Sequence, residues 1–346
     1  MAAAEMHNLS SLDALDRQIV QILQLDPRRP FSRVGAELGV AEQTVARRYR
    51  RLRRDGVVRV IGAVDAPAVG ENDWIVRVRC RPDGAQQVAE ALAKRPDAAW
   101  VSIAAAGAEV VFSLHPRSPG DRDDLLVQRL RRSAPVHDIS ASMILHRFLG
   151  RDVRDWRGRR SGQDTPPPAV DGTEDDPSLR PEDTALLDLL ARDGRTGYSV
   201  LARATGLTIG RVTRRIAALQ AAGILYFDLD IAPAAQGSSL IAFLWLGVAP
   251  VRLDAVGRAV ADQPETAYAA AITGPFNLFA VLSCDNADDL YRYVTTRMAA
   301  LDGVHSFELS PVLRRLKQAG THTADGRLTP PAPAPRRGRP GVTSAT

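Results

Sequence analysis

Residues 31–56 read FSRVGAELGVAEQTVARRYRRLRRDG, and residues 198–223 read YSVLARATGLTIGRVTRRIAALQAAG. The two stretches have the same length and superpose when the chain is shifted by 167 positions, which carries Gly39 to Gly206. Val45 then meets Val212, Arg47-Arg48 meets Arg214-Arg215, Leu52 meets Leu219 and Gly56 meets Gly223. In each stretch an apolar-faced helix runs to a glycine, and a second helix follows and ends at another glycine. Gly at a helix C-terminus accepts the left-handed conformation that stops the helix. Two helices joined through such a turn, the second with a polar outer face, predict a helix-turn-helix.

The correspondence extends outward. Upstream, Leu12, Asp16 and Leu23 fall on Leu179, Asp183 and Leu190. Leu15, Ile19, Ile22 and Leu23 repeat at helical spacing, which predicts an amphipathic first helix packed on the pair. Downstream, the same shift places Gly107 on Gly274 and Phe112 on Phe279. A one-residue slip then brings Met143-Ile144-Leu145 over Pro311-Val312-Leu313. A repeat of this length makes the chain a tandem duplication and decides the fold before any single element does. Segments 72–150 and 239–318 each read strand, helix, strand, strand, helix, strand, a ferredoxin-like βαββαβ unit with both helices on one sheet face.

The predicted fold class is therefore α+β: two copies of a winged helix-turn-helix followed by a βαββαβ domain, forming an intramolecular pseudo-dimer. The helix-turn-helix domains span 9–60 and 179–227. Residues 151–178, with Pro166-Pro167-Pro168 and the acidic run 171–176, read as a linker. Residues 319–346 read as a disordered, basic, Pro-rich tail. The strand Leu240–Leu246 is apolar on both faces, as strands are when both sheet faces are covered, so the bare sheet of one copy is expected to pack on that of the other. In copy 1, Arg77, Arg79 and Arg81 alternate with Val76, Val78 and Cys80 and predict a solvated charged row.

Charge placement carries the functional reading. The 45 Lys+Arg against 40 Asp+Glu give a net charge of only +5 over 346 residues. Six of the arginines, Arg47, Arg48, Arg50, Arg51, Arg53 and Arg54, lie on the third helix of copy 1. A major groove admits one helix, whose early residues meet base edges while later ones meet phosphates. Gln43, Thr44 and Arg47 are the expected base contacts, and Arg48, Arg51 and Arg54 the expected phosphate contacts. Copy 2 offers Arg211, Arg214 and Arg215, then alanines, and carries Asp228 and Asp230 where copy 1 has Ile61 and Ala63. Its head is expected to bind DNA more weakly. Its Thr208 caps the third helix where copy 1 has Ala41, and Ser32 is placed to cap the second helix of copy 1.

No enzyme is evident. The six histidines are scattered without metal-ligand spacing, two cysteines exclude a disulfide framework, and no phosphate loop or nucleophile elbow appears. No catalytic, cofactor or metal site is predicted. Met1 to Leu12 lacks a basic stretch followed by an apolar one, and the longest apolar run, Leu240 to Val251, contains Gly247 and Pro250. A cytoplasmic protein without a membrane partner is expected. In the tail, Arg337-Gly338-Arg339-Pro340 resembles an AT-hook, whose arginines lie in a narrow minor groove.

The set Thr205-Gly206-Leu207-Thr208, Val212 to Ile216, Leu219, Gly223-Ile224, Thr273 to Leu278, Leu301 to Val304 and Leu313 to Lys317 closely resembles the Lrp/AsnC family of transcription regulators. Copy 1 matches through Leu15-Asp16, Gly39-Val40, Val45, Arg47-Arg48, Leu52 and Asp55 to Val58. The resemblance implies a regulator that binds double-stranded DNA, a homo-oligomer of pseudo-dimers, and an amino-acid effector. The family's ligand loop, usually Gly-x-Tyr/Phe-Asp, stands in copy 2 as Gly274-Pro275-Phe276-Asn277, so Gly274, Phe276 and Asn277 are its effector candidates. Copy 1 has Gly107-Ala108-Glu109-Val110 there and departs from the pattern. Sirohaem decarboxylases share this architecture, including fused copies, and stand as the enzymatic alternative; a metabolite sensor that ignores DNA is the third.

Overall fold

The computed structural model describes residues 12–81, 83–116, 119–149, 178–180, 182–232, 235 and 240–329. Copy 1 begins with α1 (Ala14–Leu25), α2 (Phe31–Leu38) and α3 (Glu42–Arg54). Asp13 caps α1 by accepting from the Asp16 amide at 2.8 Å. The cap of α2 is Pro30 and not the expected Ser32, which sits inside the first turn. Gly39 closes α2 at φ +67°. Ile19, Leu23, Val34, Val45, Tyr49 and Leu52 form the core of this head. Copy 2 repeats it with α6 (Asp183–Arg192), α7 (Tyr198–Thr205) and α8 (Ile209–Ala221), in the numbering that leaves α4 and α5 to the first sheet domain.

The strand after each third helix is wing-like, but its partner comes from the other copy. β1 (Val58–Val64) and β6 (Leu225–Ile231) form an antiparallel ribbon in which Ile61 pairs with Asp228 and Arg59 with Asp230. Asp228 and Asp230 are buried there. They face the interior and not a duplex, so they do not repel phosphate and are no reason for the copy 2 head to bind DNA more weakly.

The first sheet domain consists of β2 (Trp74–Cys80), α4 (Ala85–Ala93), β3 (Ala98–Ala104), β4 (Glu109–Leu114), α5 (Pro119–Asp123, running on through Arg129) and β5 (Val136–Leu149). The second consists of β7 (Leu240–Val248), α9 (Leu253–Ala261), β8 (Thr266–Ile272), β9 (Leu278–Cys284), α10 (Ala287–Arg292, running on through Met298) and β10 (Val304–Arg315). Both follow the expected βαββαβ order. The sheets also join edge to edge: β5 pairs with β8 and β10 with β3, closing an eight-stranded barrel. Closure removes the sheet edges that would otherwise recruit foreign strands. The helices cover the outside over separate cores, and Ile75, Val111, Phe243, Trp245 and Phe279 fill the inside.

The barrel corrects two expectations. Phe112 lies under the helices of copy 1 while Phe279 faces the barrel interior, so they are not equivalent. Trp74 faces Met143 and Ala242 faces Pro311, which fixes the offset within the sheets at 168. The extra residue falls between the ribbon and β7; in a strand, one residue of slip exchanges the two faces. The equivalent of Arg77 is thus Trp245, and Arg77 is not solvated. It lies inside the barrel at 6% exposure, its guanidinium 4.6 Å from the Trp245 ring and bonded to Glu109 and Glu308. Arg79 and Arg81 do face outward.

Beyond β10 the chain does not become irregular at 319. Leu316 is buried, and the strands β11 (His322–Ala324) and β12 (Arg327–Thr329) form a hairpin. Leu328 donates to the Gly56 carbonyl at 2.8 Å, docking this hairpin at the end of α3. Gly56, at φ +68°, admits it because a Cβ there would meet the Leu328 carbonyl oxygen at 2.6 Å. Among the described residues no helix is long and apolar enough to cross a membrane.

Candidate nucleic-acid interface

The α3 arginines divide by what they touch. Gln43 and Arg47 are exposed and Thr44 is half-buried, all near the start of the helix as expected. Arg47 makes no ion pair among the described residues. Arg50 folds back on the Ala46 carbonyl at 3.1 Å. Arg48 donates to Asp13 at 2.5 Å and to Asp16 at 2.9 Å, and Arg51 also holds Asp16. Asp13 and Asp16 raise the Arg48 pKa above its ordinary value. Arg53 pairs with Asp193 of copy 2 at 2.9 Å and Arg54 with Asp55 at 3.1 Å.

Copy 2 repeats the inner pair. Arg215 is 5% exposed and Asp183 4% exposed, with Nη2 to Oδ2 at 2.5 Å and Nε to Oδ1 at 2.9 Å. Burial pushes the Asp183 carboxyl up, but the Arg215 bonds outweigh it and leave the carboxyl below its usual range. Arg215 and Asp183 stand where copy 1 has Arg48 and Asp16. These arginines fasten the third helix to the first in each head. Arg215 is therefore not placed to meet DNA, and Arg48 would have to abandon a carboxylate that is itself 1% exposed. Arg54, 75% exposed beside the exposed Asp55, forms a surface pair that yields to a phosphate at little cost, whereas Arg51, 44% exposed, would have to leave the same buried Asp16. Arg211 and Arg214 are exposed without an ion pair among the described residues. The signal that could have identified the fasteners was on view: Asp16 and Asp183 recur at the same shift as the arginines.

Thr208 caps α8 by accepting from the Arg211 amide at 3.3 Å, whereas Ala41 offers α3 no such bond. The two heads also grip each other through equivalent arginines. Arg28 donates to the Gly194 carbonyl at 2.7 Å and lies 4.9 Å from the Tyr198 ring. Arg195 donates to the carbonyls of Pro27 at 2.6 Å and Arg29 at 2.9 Å, and lies 4.1 Å from the Phe31 ring. Nothing in the one-dimensional pattern marked this reciprocal clamp.

The effector loop is engaged by its own domain. Gly274 turns at φ +118° and Phe276 packs on the barrel cluster. The Asn277 amide accepts from the Val248 amide and donates to its carbonyl, both at 2.8 Å. The side chain of the effector candidate Asn277 is thus engaged by the backbone of its own domain. Its equivalent, Glu109, is buried and holds Arg77. Arg337, Gly338, Arg339 and Pro340 lie outside the described residues. Among the described residues there is no group of three His, Cys, Asp or Glu able to hold a metal.

Paired helix-turn-helix heads on a shared sheet domain place the chain in a recognisable structural class. The AsnC-type helix-turn-helix profile matches residues 12–53 and 183–220, and the Lrp/AsnC ligand-binding profile matches 241–321. An HTH-type transcriptional regulator of Pyrococcus horikoshii is 30% identical over 139 residues, covering 40% of this chain and 87% of that protein. The regulator LrpA of Pyrococcus abyssi is 26% identical over 136 residues, covering 39% of this chain and 96% of its own. The chain belongs to the Lrp/AsnC family of transcription regulators, in tandem-duplicated form. The crystal structure of the siroheme decarboxylase NirDL has the same fold, with a TM-score of 0.61, 16% identity, and coverage of 88% of this chain and 92% of that one.

Proposed function

We propose that the protein is a sequence-specific, double-stranded-DNA-binding regulator without enzymatic activity, its two heads reading two half-sites. The observation that carries this reading is the set Arg47, Arg211 and Arg214, exposed on the third helices of the two heads and without an ion pair among the described residues. Gln43 and Thr44 supply the remaining base contacts, with Arg54 turning to phosphate. Linking two heads in one chain makes the second contact intramolecular. The heads are closer in strength than the arginine count alone predicts, because Arg48, Arg50, Arg51 and Arg53 of copy 1 are all engaged, whereas copy 2 gives up only Arg215. A minor-groove role for Arg337, Gly338, Arg339 and Pro340 is part of the same reading and rests on their sequence alone. The reading is tested by fluorescence anisotropy against duplexes selected from a random pool. Affinity should fall steeply with salt, and salt-independent or sequence-blind binding would overturn it.

A small effector acting through the ligand-binding domain remains part of this reading, although Asn277 would have to leave Val248 to take part. Assembly of pseudo-dimers is supported by Leu145 and Leu313, equivalent positions that are 57% and 69% exposed. Light scattering should show multiples of the 37.4 kDa chain that collapse on Leu313→Glu. The whole-chain likeness of fold to a siroheme decarboxylase favours one second reading, conversion of an iron tetrapyrrole. Turnover of sirohaem by the purified protein, with no selection of any duplex, would establish it instead.

A further inference from the structure

A cavity of about 660 Å³ lies between the β1–β6 ribbon and the mouth of the barrel. Its volume is that of a small-molecule site. Ile75, Val111, Phe243 and Phe279 form an apolar floor. Two arginines reach it from equivalent positions: Arg147 of β5 stands opposite Ala270 of β8, and Arg315 of β10 opposite Ser102 of β3. The same offset of 168 relates Tyr268, which bonds Arg147, to Trp100, whose ring lies 5.2 Å from the Arg315 guanidinium.

The two arginines differ in their counter-ions. Arg147 is neutralised by Asp73 and, at 3.4 Å, by Asp65. In the second copy these positions are Ala232 and Ile241. Arg315 consequently makes no ion pair among the described residues, and its Nε finds no acceptor. Asp230, the carboxylate nearest in influence, accepts from Gln318 at 3.4 Å and also faces the buried Lys317. Burial pulls Arg315 down to about 10, which still leaves it charged near neutrality. Trp100 adopts φ +53° within a register shift of β3. Such a conformation is costly for an aromatic residue and persists where the surroundings impose it. It sets the indole against the unpaired guanidinium.

We propose that this cavity binds a planar aromatic anion, its acidic group taken by Arg315 in place of the two missing carboxylates and its ring lying along Trp100 and the apolar floor. The bidentate fork of arginine suits a carboxylate or sulfonate, and the rings suit a flat body. The site is separate from the Gly274–Asn277 loop and does not depend on the DNA reading.

The probe is 8-anilinonaphthalene-1-sulfonate, with uncharged N-phenyl-1-naphthylamine as its partner, titrated into the full chain. One sulfonate molecule should bind per chain with enhanced fluorescence. Arg315→Met should weaken it at least tenfold and change the uncharged probe less than twofold. Arg314→Met, on the opposite strand face, should change neither. Ala63→Trp, which fills the cavity from the ribbon, should abolish both and keeps the test decisive if Arg315→Met fails to fold. Equal effects of Arg315→Met and Arg314→Met, or displacement of the sulfonate by duplex DNA, would overturn the proposal and leave the regulator reading intact. Loss on Arg315→Met in a chain that selects no duplex would retain the site and discard that reading.

Discussion

The two copies have kept a backbone and exchanged their chemistry. The head of copy 1 carries six arginines on α3, yet most are tied to Asp13, Asp16, Asp55 or Asp193. The head of copy 2 carries half as many on α8 and buries one of them completely against Asp183. At the cavity the imbalance reverses: copy 1 supplies Asp65 and Asp73 to its arginine, and copy 2 supplies neither. An arginine's role follows from the nearest carboxylate and not from its place in a run of charge.

The largest expected effect breaks the comparison at the fasteners. Asp183→Ala strands the Arg215 guanidinium in the core and should cost about 3–5 kcal/mol in urea unfolding. Asp16→Ala releases Arg48 and Arg51, both able to reach water, and should cost about 1–2 kcal/mol. Equal losses would show that the two pairs are equally committed.

A second contrast lies at the strand ends, where Leu149 of copy 1 is equivalent to Lys317 of copy 2. Lys317 donates to the Arg95 carbonyl at 2.6 Å, and burial pulls it down to about 8. Its unfolded value is near 10.5, so between pH 8 and 10.5 the unfolded chain binds more protons and stability rises with pH. The gain approaches about 3 kcal/mol if the full shift is realised. Denaturant titrations at pH 7.5 and 9.5 should show this rise, and Lys317→Met should flatten it.

Next in size is DNA affinity. Arg47→Ala in copy 1 and Arg214→Ala in copy 2 should each cost about 1–2 kcal/mol of binding free energy. Arg215→Met should act through stability alone. A tenfold greater loss from Arg47 than from Arg214 would restore the strong asymmetry that the arginine count suggests. The smallest effect concerns the caps: Thr208→Ala should cost about 1 kcal/mol, and Ala41→Ser should gain less than that, both read from thermal unfolding.

Much of this was legible in the residues. The 3.6-residue stripes, the glycine stops and the repeat gave both heads, and the strand-helix order gave both sheet domains. What one dimension withholds is the identity of the second face. The alternation around Arg77 fits a solvated row as well as a lined barrel, and only closure through β5–β8 and β10–β3 decides between them. The one-residue insertion before β7 was invisible for the same reason, since Phe112 and Phe279 match by type while facing opposite ways. Ion-pair partners separated by more than thirty residues, such as Asp16 and Arg48, become neighbours only once the helices pack.

The closed barrel carries a consequence for dosage. Each molecule brings both helix-turn-helix heads at a fixed ratio of one to one, and their pairing does not wait for an encounter between chains. On the proposed DNA-binding reading, occupancy of a paired operator by one chain should therefore scale with the first power of protein amount, where a regulator assembled from separate protomers would follow the square at low abundance.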